Sequence, residues 1–199
     1  MNECAASRLP ALATLLLALI LAGCRGHAGP PPLEGATMGG PFMLRSHEGG
    51  RMSEAALSGK YRLVYFGFTF CPDVCPIDLQ TIGAGLRAFE RDAPDRAAKV
   101  QPLFITVDPA RDTPEVLARY VAAFHPRLIG LTGSEAEIAR VARAYGVYFR
   151  RGEPAADGGY SVDHTRMAVL YGPEGEPIAI VPHDRGPDGV AAELARWVR

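Results

Sequence analysis

The sequence predicts an α/β fold in which helices cover both faces of a mostly parallel sheet. Apolar runs of strand length alternate with segments of helical periodicity, and some runs are apolar almost throughout, as in strands covered on both faces. A Gly-Pro-Glu-Gly turn at 172–175 separates two further apolar runs, which predicts a C-terminal antiparallel hairpin. The chain has 199 residues, enough for one domain with a substantial core.

The predicted strands are short runs of β-branched, aromatic and other apolar residues. In chain order they lie at 42–46, 62–68, 100–107, 128–131, 148–150, 167–171 and 177–181. The run at 62–68 is the best candidate for a central strand, because almost every side chain in it is apolar.

The predicted helices combine helical spacing of apolar residues with recognisable N-terminal caps. They lie at 53–57 (a single turn), 76–91, 112–124, 134–145 and 190–198. Pro76 suits the first helical position, where its missing N–H costs nothing. Asp112 or Thr113 caps the third of these helices, and Ser134 with Glu137 forms a capping-box pattern at the start of the fourth.

The first 23 residues have the pattern of a secretion signal. Arg8 precedes an apolar run at 9–23 that is short for a helix spanning a bilayer. The run ends in Leu-Ala-Gly before Cys24, which resembles the lipobox of bacterial lipoproteins. We expect cleavage before Cys24 and a lipid on that cysteine; the alternative is an ordinary signal or a short anchor. Residues 24–41, rich in Gly and Pro, are then a flexible tether, and 42–199 are the folded domain.

Composition and compartment limit the possible functions. A formal net charge of −1 argues against a nucleic-acid-binding protein, which needs a basic surface. The signal places the domain outside the cytoplasm, on the periplasmic side of a bacterial membrane. A thiol pair there exists as a disulfide, a redox couple or a metal site. Cys4 leaves with the signal, so Cys71 and Cys75 form that pair.

Cys71 and Cys75 lie four residues apart, between a predicted strand and a predicted helix. If the intervening loop coils toward the helix, both sulfurs face one side, close enough for a disulfide or a shared metal ion. The positive end of the helix at Pro76 should favour the thiolate of Cys75. Thiolates attack disulfides and also bind metals, so both functions remain open.

His164 is the best candidate for a third metal ligand, because it precedes a hairpin strand at a sheet edge that could face the cysteines. Two thiolates and one imidazole suit Cu(I) and can also hold Cu(II), while zinc is the obvious competitor. A lone histidine is, however, more often structural. Asp73, Asp78 and Asp163 could assist the metal site; the alternatives are a loop cap, a charge in the first helical turn, and a turn or supporting residue, respectively. The other histidines are expected to be surface or structural residues: His27, His47, His125 and His183.

The run 66–76, Phe-Gly-Phe-Thr-Phe-Cys-Pro-Asp-Val-Cys-Pro, closely resembles the signature of the Sco/SenC family. Blocks at 107–114, 124–133 and 162–165 resemble further motifs of that family, in the same order. The resemblance implies a thioredoxin-like fold in which Cys71, Cys75 and His164 bind copper. It also implies a role in cytochrome c oxidase assembly, by delivering copper to the binuclear centre of subunit II, by reducing its cysteines, or both.

Three functions compete. The first is a monomeric, lipid-anchored copper chaperone, not itself an enzyme, that receives copper from an upstream donor protein and serves oxidase subunit II. The second is a thiol-disulfide oxidoreductase acting on extracytoplasmic proteins through Cys71 and Cys75, although such enzymes usually carry CxxC. The third is a lipoprotein with a structural disulfide, which would constrain little chain entropy across so short a loop. The block at 108–114 is either a partner-docking loop or a strand end followed by a helix cap.

Overall fold

The computed structural model describes residues 29–154 and 158–199. The predicted signal and Cys24 lie outside these residues. Within the described ranges, no helix has the length and apolar character needed to cross a membrane. The residues from Pro31 to Arg199 form one compact unit.

Within the described part of the chain, seven strands form one sheet in the order β2-β1-β5-β4-β3-β8-β9. These strands are β1 (Met43–Ser46), β2 (Arg51–Ser53), β3 (Tyr61–Gly67), β4 (Val100–Thr106), β5 (Ile129–Thr132), β8 (Ala168–Tyr171) and β9 (Pro177–Val181). Two further strands, β6 (Phe149–Arg151) and β7 (Val162–His164), pair with each other in a separate antiparallel ribbon.

The α/β class with flanking helices is confirmed, but the sheet is mixed rather than mostly parallel. β4 pairs in parallel with β3 and with β5. The N-terminal strand β1 joins β5 antiparallel, and the predicted hairpin β8–β9 joins β3 antiparallel. Parallel pairing is therefore confined to the three central strands. β3 is buried along its whole length, as its apolar sequence predicts.

Helices lie close to their predicted positions. They are α1 (Val74–Asp92), α2 (Pro94–Ala97), α3 (Pro114–Ala122), α4 (Glu135–Ala144) and α5 (Gly186–Trp197). The predicted turn at 53–57 is a 3₁₀ helix, Glu54–Leu57, capped by Ser53. The hydroxyl of Thr113 caps α3, which decides between the two predicted caps, and the capping box of α4 is confirmed.

Gly85 lies in the middle of α1, where glycine ordinarily weakens a helix. A Cβ at this position would lie 2.5 Å from the Cβ of Val190 on α5 and 2.6 Å from the carbonyl oxygen of Pro187. The glycine therefore permits the close packing of α1 against α5. This packing fixes α1 to the domain, and with it Cys75 near the start of α1.

Residues 31–41 depart from their prediction as a flexible tether. The N–H of Leu33 donates to the carbonyl of Ile178 on β9, and the N–H of Gly39 donates to the carbonyl of Ala144. The hydroxyl of Tyr145 donates to the carbonyl of Gly40 at 3.0 Å. The Gly and Pro residues here shape a segment that is fastened to the domain, so the folded part of the chain begins before residue 42.

Candidate metal centre

The candidate site lies where β3 and β4 end. Because these strands are parallel, their carboxyl ends meet at one edge of the sheet, and the loops at 68–73 and 107–113 leave from that edge. The N–H of Val107 donates to the carbonyl of Gly67, which joins the two strand ends. The β6–β7 ribbon brings His164 to the same edge.

Cys75 and His164 are in direct contact. The Sγ of Cys75 lies 3.2 Å from the Nε2 of His164. The thiol is completely buried, and the imidazole packs edge-on against the rings of Tyr65 and Phe68. The Nδ1 of His164 lies 3.1 Å from the carbonyl oxygen of Thr165, which can only accept, so Nδ1 carries the proton. The lone pair of Nε2 therefore faces the sulfur.

Cys71 lies four residues before Cys75, in the loop that precedes α1. Its Sγ accepts a hydrogen bond from the N–H of Cys75, at 3.4 Å, and the side chain is half-buried against the core. Both thiols are free. Among the described residues, no three His, Cys, Asp or Glu side chains stand in an arrangement that could hold a metal ion. The structure thus brings Cys75 and His164 into contact, and it places the sulfur of Cys71 beside the backbone of Cys75.

Burial controls the protonation of the contacting pair. It raises the pKa of the Cys75 thiol to about 12, and it lowers the pKa of His164 below its ordinary value. The prediction that Cys75 favours the thiolate is wrong, because burial of the sulfur raises its pKa. Without a metal, the pair consists of a neutral thiol and a neutral imidazole.

Asp78 supports both sides of this contact, through partners that the sequence did not indicate. Its buried carboxylate accepts from the hydroxyl of Tyr65 at 2.8 Å and from two nitrogens of Arg166 at 2.6 and 3.0 Å. Burial alone would raise the pKa of Asp78, but the hydrogen bonds from Arg166 and Tyr65 hold it below its usual value. Arg166 follows His164 by two residues, and Asp78 follows Cys75 by three. The ion pair therefore ties the histidine strand to the cysteine helix.

The other singled-out side chains lie in ordinary contacts. Asp73 precedes α1 without a side-chain capping bond, and the exposed Asp163 lies 3.5 Å from Arg150. His47 accepts from the N–H of Gly130 at 2.9 Å. Two more histidines face carboxylates, at 3.2 Å for His125 with Glu90 and 3.4 Å for His183 with Asp78. His27 lies outside the described residues.

A family model described as SCO1/SenC matches residues 30–199. The human protein named "Protein SCO1 homolog, mitochondrial" is 42% identical over 173 residues, which are 87% of this chain and 55% of that protein. The chain spans about half the length of the curated relatives it matches.

Solved structures that resemble this chain include members of the same family. The structure of Bradyrhizobium japonicum ScoI with copper bound has a TM-score of 0.73 and 42% identity, covering 80% of this chain and 99% of that one. The thioredoxin domain of a thiol-disulfide oxidoreductase from Bacteroides vulgatus has a TM-score of 0.57 at 16% identity, over 80% of this chain and 94% of that one. The second likeness shows a shared thioredoxin-like fold and nothing more.

Proposed function

The chain belongs to the SCO1/SenC family, and from this premise we propose that it is a copper chaperone for cytochrome c oxidase. In this proposal Cys71, Cys75 and His164 bind copper, and the protein delivers it to the binuclear centre of oxidase subunit II. Copper is the cargo here and not a resident catalyst. An upstream donor protein supplies it, and a lipid on Cys24 holds the monomeric domain on the periplasmic side of a membrane.

The observation that carries the proposal is the 3.2 Å contact between the Sγ of Cys75 and the Nε2 of His164. Both atoms are metal-binding atoms, and the Nε2 lone pair already faces the sulfur. The Sγ of Cys71 accepts a hydrogen bond from the backbone N–H of Cys75 and so lies close to this pair. Two soft sulfurs and one imidazole suit copper, and the neighbouring ScoI structure contains that metal.

The side chains also fit a transient cargo. Metal binding requires the Cys75 thiol to lose its proton, so the burial that raises its pKa opposes copper uptake. Cys71 is only half-buried and gives an incoming protein a sulfur to approach first. Two partly accessible ligands, Cys71 and His164, together with the buried Cys75 suit a site that must both hold copper and release it.

Titration of the full chain with Cu(I) against a competing chelator tests this proposal. We expect tight binding that His164→Ala weakens, whereas the control His47→Asn, which keeps an acceptor for the N–H of Gly130, binds like the wild type. Loading with Cu(II) should give sulfur-to-copper charge-transfer bands that Cys71→Ser weakens and shifts, because one of the two sulfur ligands is lost. Equal affinity for the wild type and His164→Ala would remove the histidine from the site.

The free state of both thiols favours a second function, thiol-disulfide exchange. The half-buried Cys71 would attack a disulfide of the partner and form a mixed disulfide. Cys75 would then attack the Cys71 sulfur, which releases the reduced partner and leaves a disulfide between Cys71 and Cys75. The reduced, metal-free protein should then reduce an oxidised peptide that carries the cysteine pair of subunit II. Failure to reduce this peptide would exclude the exchange function and leave copper delivery.

A further inference from the structure

Arg111 lies between the two segments that carry the proposed copper ligands. Its guanidinium carbon is 4.8 Å from the ring centroid of Phe70, the residue before Cys71. The same carbon is 3.6 Å from the ring centroid of Tyr160, which precedes the strand of His164. One side chain therefore contacts both the cysteine loop and the histidine ribbon.

Hydrogen bonds fix this guanidinium in place. Its Nη1 donates to the carbonyl oxygen of Tyr160 at 3.1 Å, and its Nε donates to the buried carboxylate of Asp108. The hydroxyl of Tyr160 donates to the other oxygen of Asp108 at 2.8 Å. Arg111, Asp108 and Tyr160 thus form a closed set of contacts, which we call the arginine clamp.

The neighbouring residue holds the other end of the cysteine loop. The buried carboxylate of Asp112 accepts from the N–H of Thr69 at 3.0 Å and from the hydroxyl of Thr69 at 2.6 Å. It also accepts from the hydroxyl of Thr106, at the end of β4. The loop before Cys71 is therefore fastened to the strand end by Asp112 and to the ribbon by Arg111.

The β6–β7 ribbon depends on such contacts because it is not part of the main sheet. Arg151 of the ribbon also stacks on Tyr160, with its guanidinium carbon 4.4 Å from the ring centroid. The ion pair of Arg151 with Glu135, however, is long, at 3.5 Å, and exposed. Near His164, the ion pair of Arg166 with Asp78 ties the ribbon to α1. Through the buried Asp108, the arginine clamp links the ribbon by hydrogen bonds to the loop that follows β4.

We propose that Arg111 is a positioning residue that holds His164 against Cys75 and thereby sets the copper affinity without touching the metal. This inference rests on the proposed copper function and assigns the block at 108–114 a role in the site. The planar fork of arginine is needed to stack on two rings while donating to Asp108 and to a carbonyl; lysine keeps the charge and loses this geometry.

The first measurement needs no copper. Cys75 is buried beside His164, so loosening the ribbon exposes its thiol. In the reduced, metal-free full chain, peptide mass spectrometry should show that Arg111→Lys speeds the alkylation of Cys75 several-fold. The matched control Arg150→Lys changes an exposed arginine of the same ribbon and should leave the rate unchanged. An unchanged rate in Arg111→Lys would overturn the proposal.

The second measurement is copper affinity by chelator competition. Arg111→Lys should weaken Cu(I) binding by about tenfold, the loss typical of residues that orient metal ligands. In a His164→Ala background the same substitution should change nothing, because no imidazole is left to position. Equal losses in both backgrounds would overturn the proposal. Absence of copper binding by the wild type would refute the proposed function instead, and the alkylation rates would still decide the role of Arg111.

A variant on the ribbon side covers the case in which Arg111→Lys fails to fold. Tyr160→Leu removes the ring on which Arg111 stacks and the hydroxyl that reaches Asp108. It should give the same faster alkylation of Cys75 and the same loss of affinity that depends on His164. A folded Tyr160→Leu protein with wild-type rates and affinity would count against the clamp.

Discussion

The Sγ of Cys75 and the Nε2 of His164 lie 3.2 Å apart, although 89 residues separate them in the sequence. One comes from the first turn of a helix and the other from a ribbon outside the main sheet. Their contact is a tertiary feature that α1 and the ribbon produce together. It gives the first of four predictions.

Copper should stabilise the wild type against urea far more than it stabilises His164→Ala. A ligand that binds only the folded state raises the free energy of unfolding with its affinity, so each tenfold loss of affinity removes about 1.4 kcal/mol at saturating copper. Without copper, the variant should lose only about 1 kcal/mol, since the Cys75 thiol loses one weak acceptor. Equal stabilisation by copper in both proteins would contradict the assignment of His164.

Asp78→Ala should destabilise the metal-free protein by about 1–3 kcal/mol, because it leaves the buried hydroxyl of Tyr65 without its acceptor. The ion pair with Arg166 adds little, since that side chain is half-exposed and water solvates it. Urea unfolding measures the loss. Asp163→Ala, at an exposed ion pair, should stay within about 0.5 kcal/mol of the wild type.

A double variant isolates this hydrogen bond. Adding Tyr65→Phe to Asp78→Ala removes the hydroxyl that the first change orphans. The two losses should therefore sum to more than the loss of the double variant. Strict additivity would mean that the hydrogen bond does not contribute to stability.

Gly85→Ala should destabilise the protein by about 1–3 kcal/mol, although alanine favours helices over glycine by up to about 1 kcal/mol. The new Cβ would lie 2.5 Å from the Cβ of Val190, so α5 must move away from α1. The midpoint of urea unfolding measures the effect. Gln80→Ala, at an exposed position on the same helix, should be neutral or slightly stabilising; a stabilising Gly85→Ala would show that the two helices can separate without cost.

Glu137→Gln should reduce stability at pH 6, and the difference from the wild type should shrink as the pH falls. Hydrogen bonds from the backbone N–H of Ser134, from Arg51 and from the Ser134 hydroxyl lower the pKa of Glu137 to about 2. The folded pKa lies below the unfolded value of about 4.3, so the carboxylate stabilises the fold above that pH. This stability is lost as the pH falls through about 2.

Urea unfolding between pH 6 and pH 3 measures this dependence. Glu135→Gln is the control, since the Glu135 carboxylate reaches Arg151 only at 3.5 Å and is largely exposed. That variant should differ little from the wild type at any pH. The capping role would be contradicted if the difference in unfolding free energy between Glu137→Gln and the wild type became larger as the pH falls.

Local signals predicted local structure well. The caps at Thr113 and Ser134 and the apolar run of β3 depend on a few adjacent residues, and the structure confirms them. The antiparallel pairing of β1 with β5 has no local signal, because a strand sequence does not record the direction of its neighbour. The mixed sheet therefore could not be predicted from alternation of strands and helices.

The site was only partly predictable for the same reason. Cys71 and Cys75 lie in one short motif, whereas His164 was a candidate ligand from its position alone and was strengthened by the resemblance to the family. Strand β7 has three residues, one of them the exposed Asp163, and gives no strand signal. The bond between Asp78 and Arg166 joins residues 88 apart, so neither sequence neighbourhood indicates it. Supporting residues of this kind become visible only when the chain is folded.

The N-terminal segment, whose Leu33 N–H donates to the carbonyl of Ile178, protects β9, one of the two edge strands of the sheet. An unprotected edge strand offers free backbone groups to other molecules, and Ile180 already exposes an apolar side chain there. A recombinant domain that begins at residue 42 would lack this segment, so the edge of β9 would be unprotected and the domain would tend to self-associate. A recombinant domain that begins at residue 30 would keep this segment on the edge of β9. The choice of starting residue therefore decides whether a copper titration reports on single molecules or on aggregates.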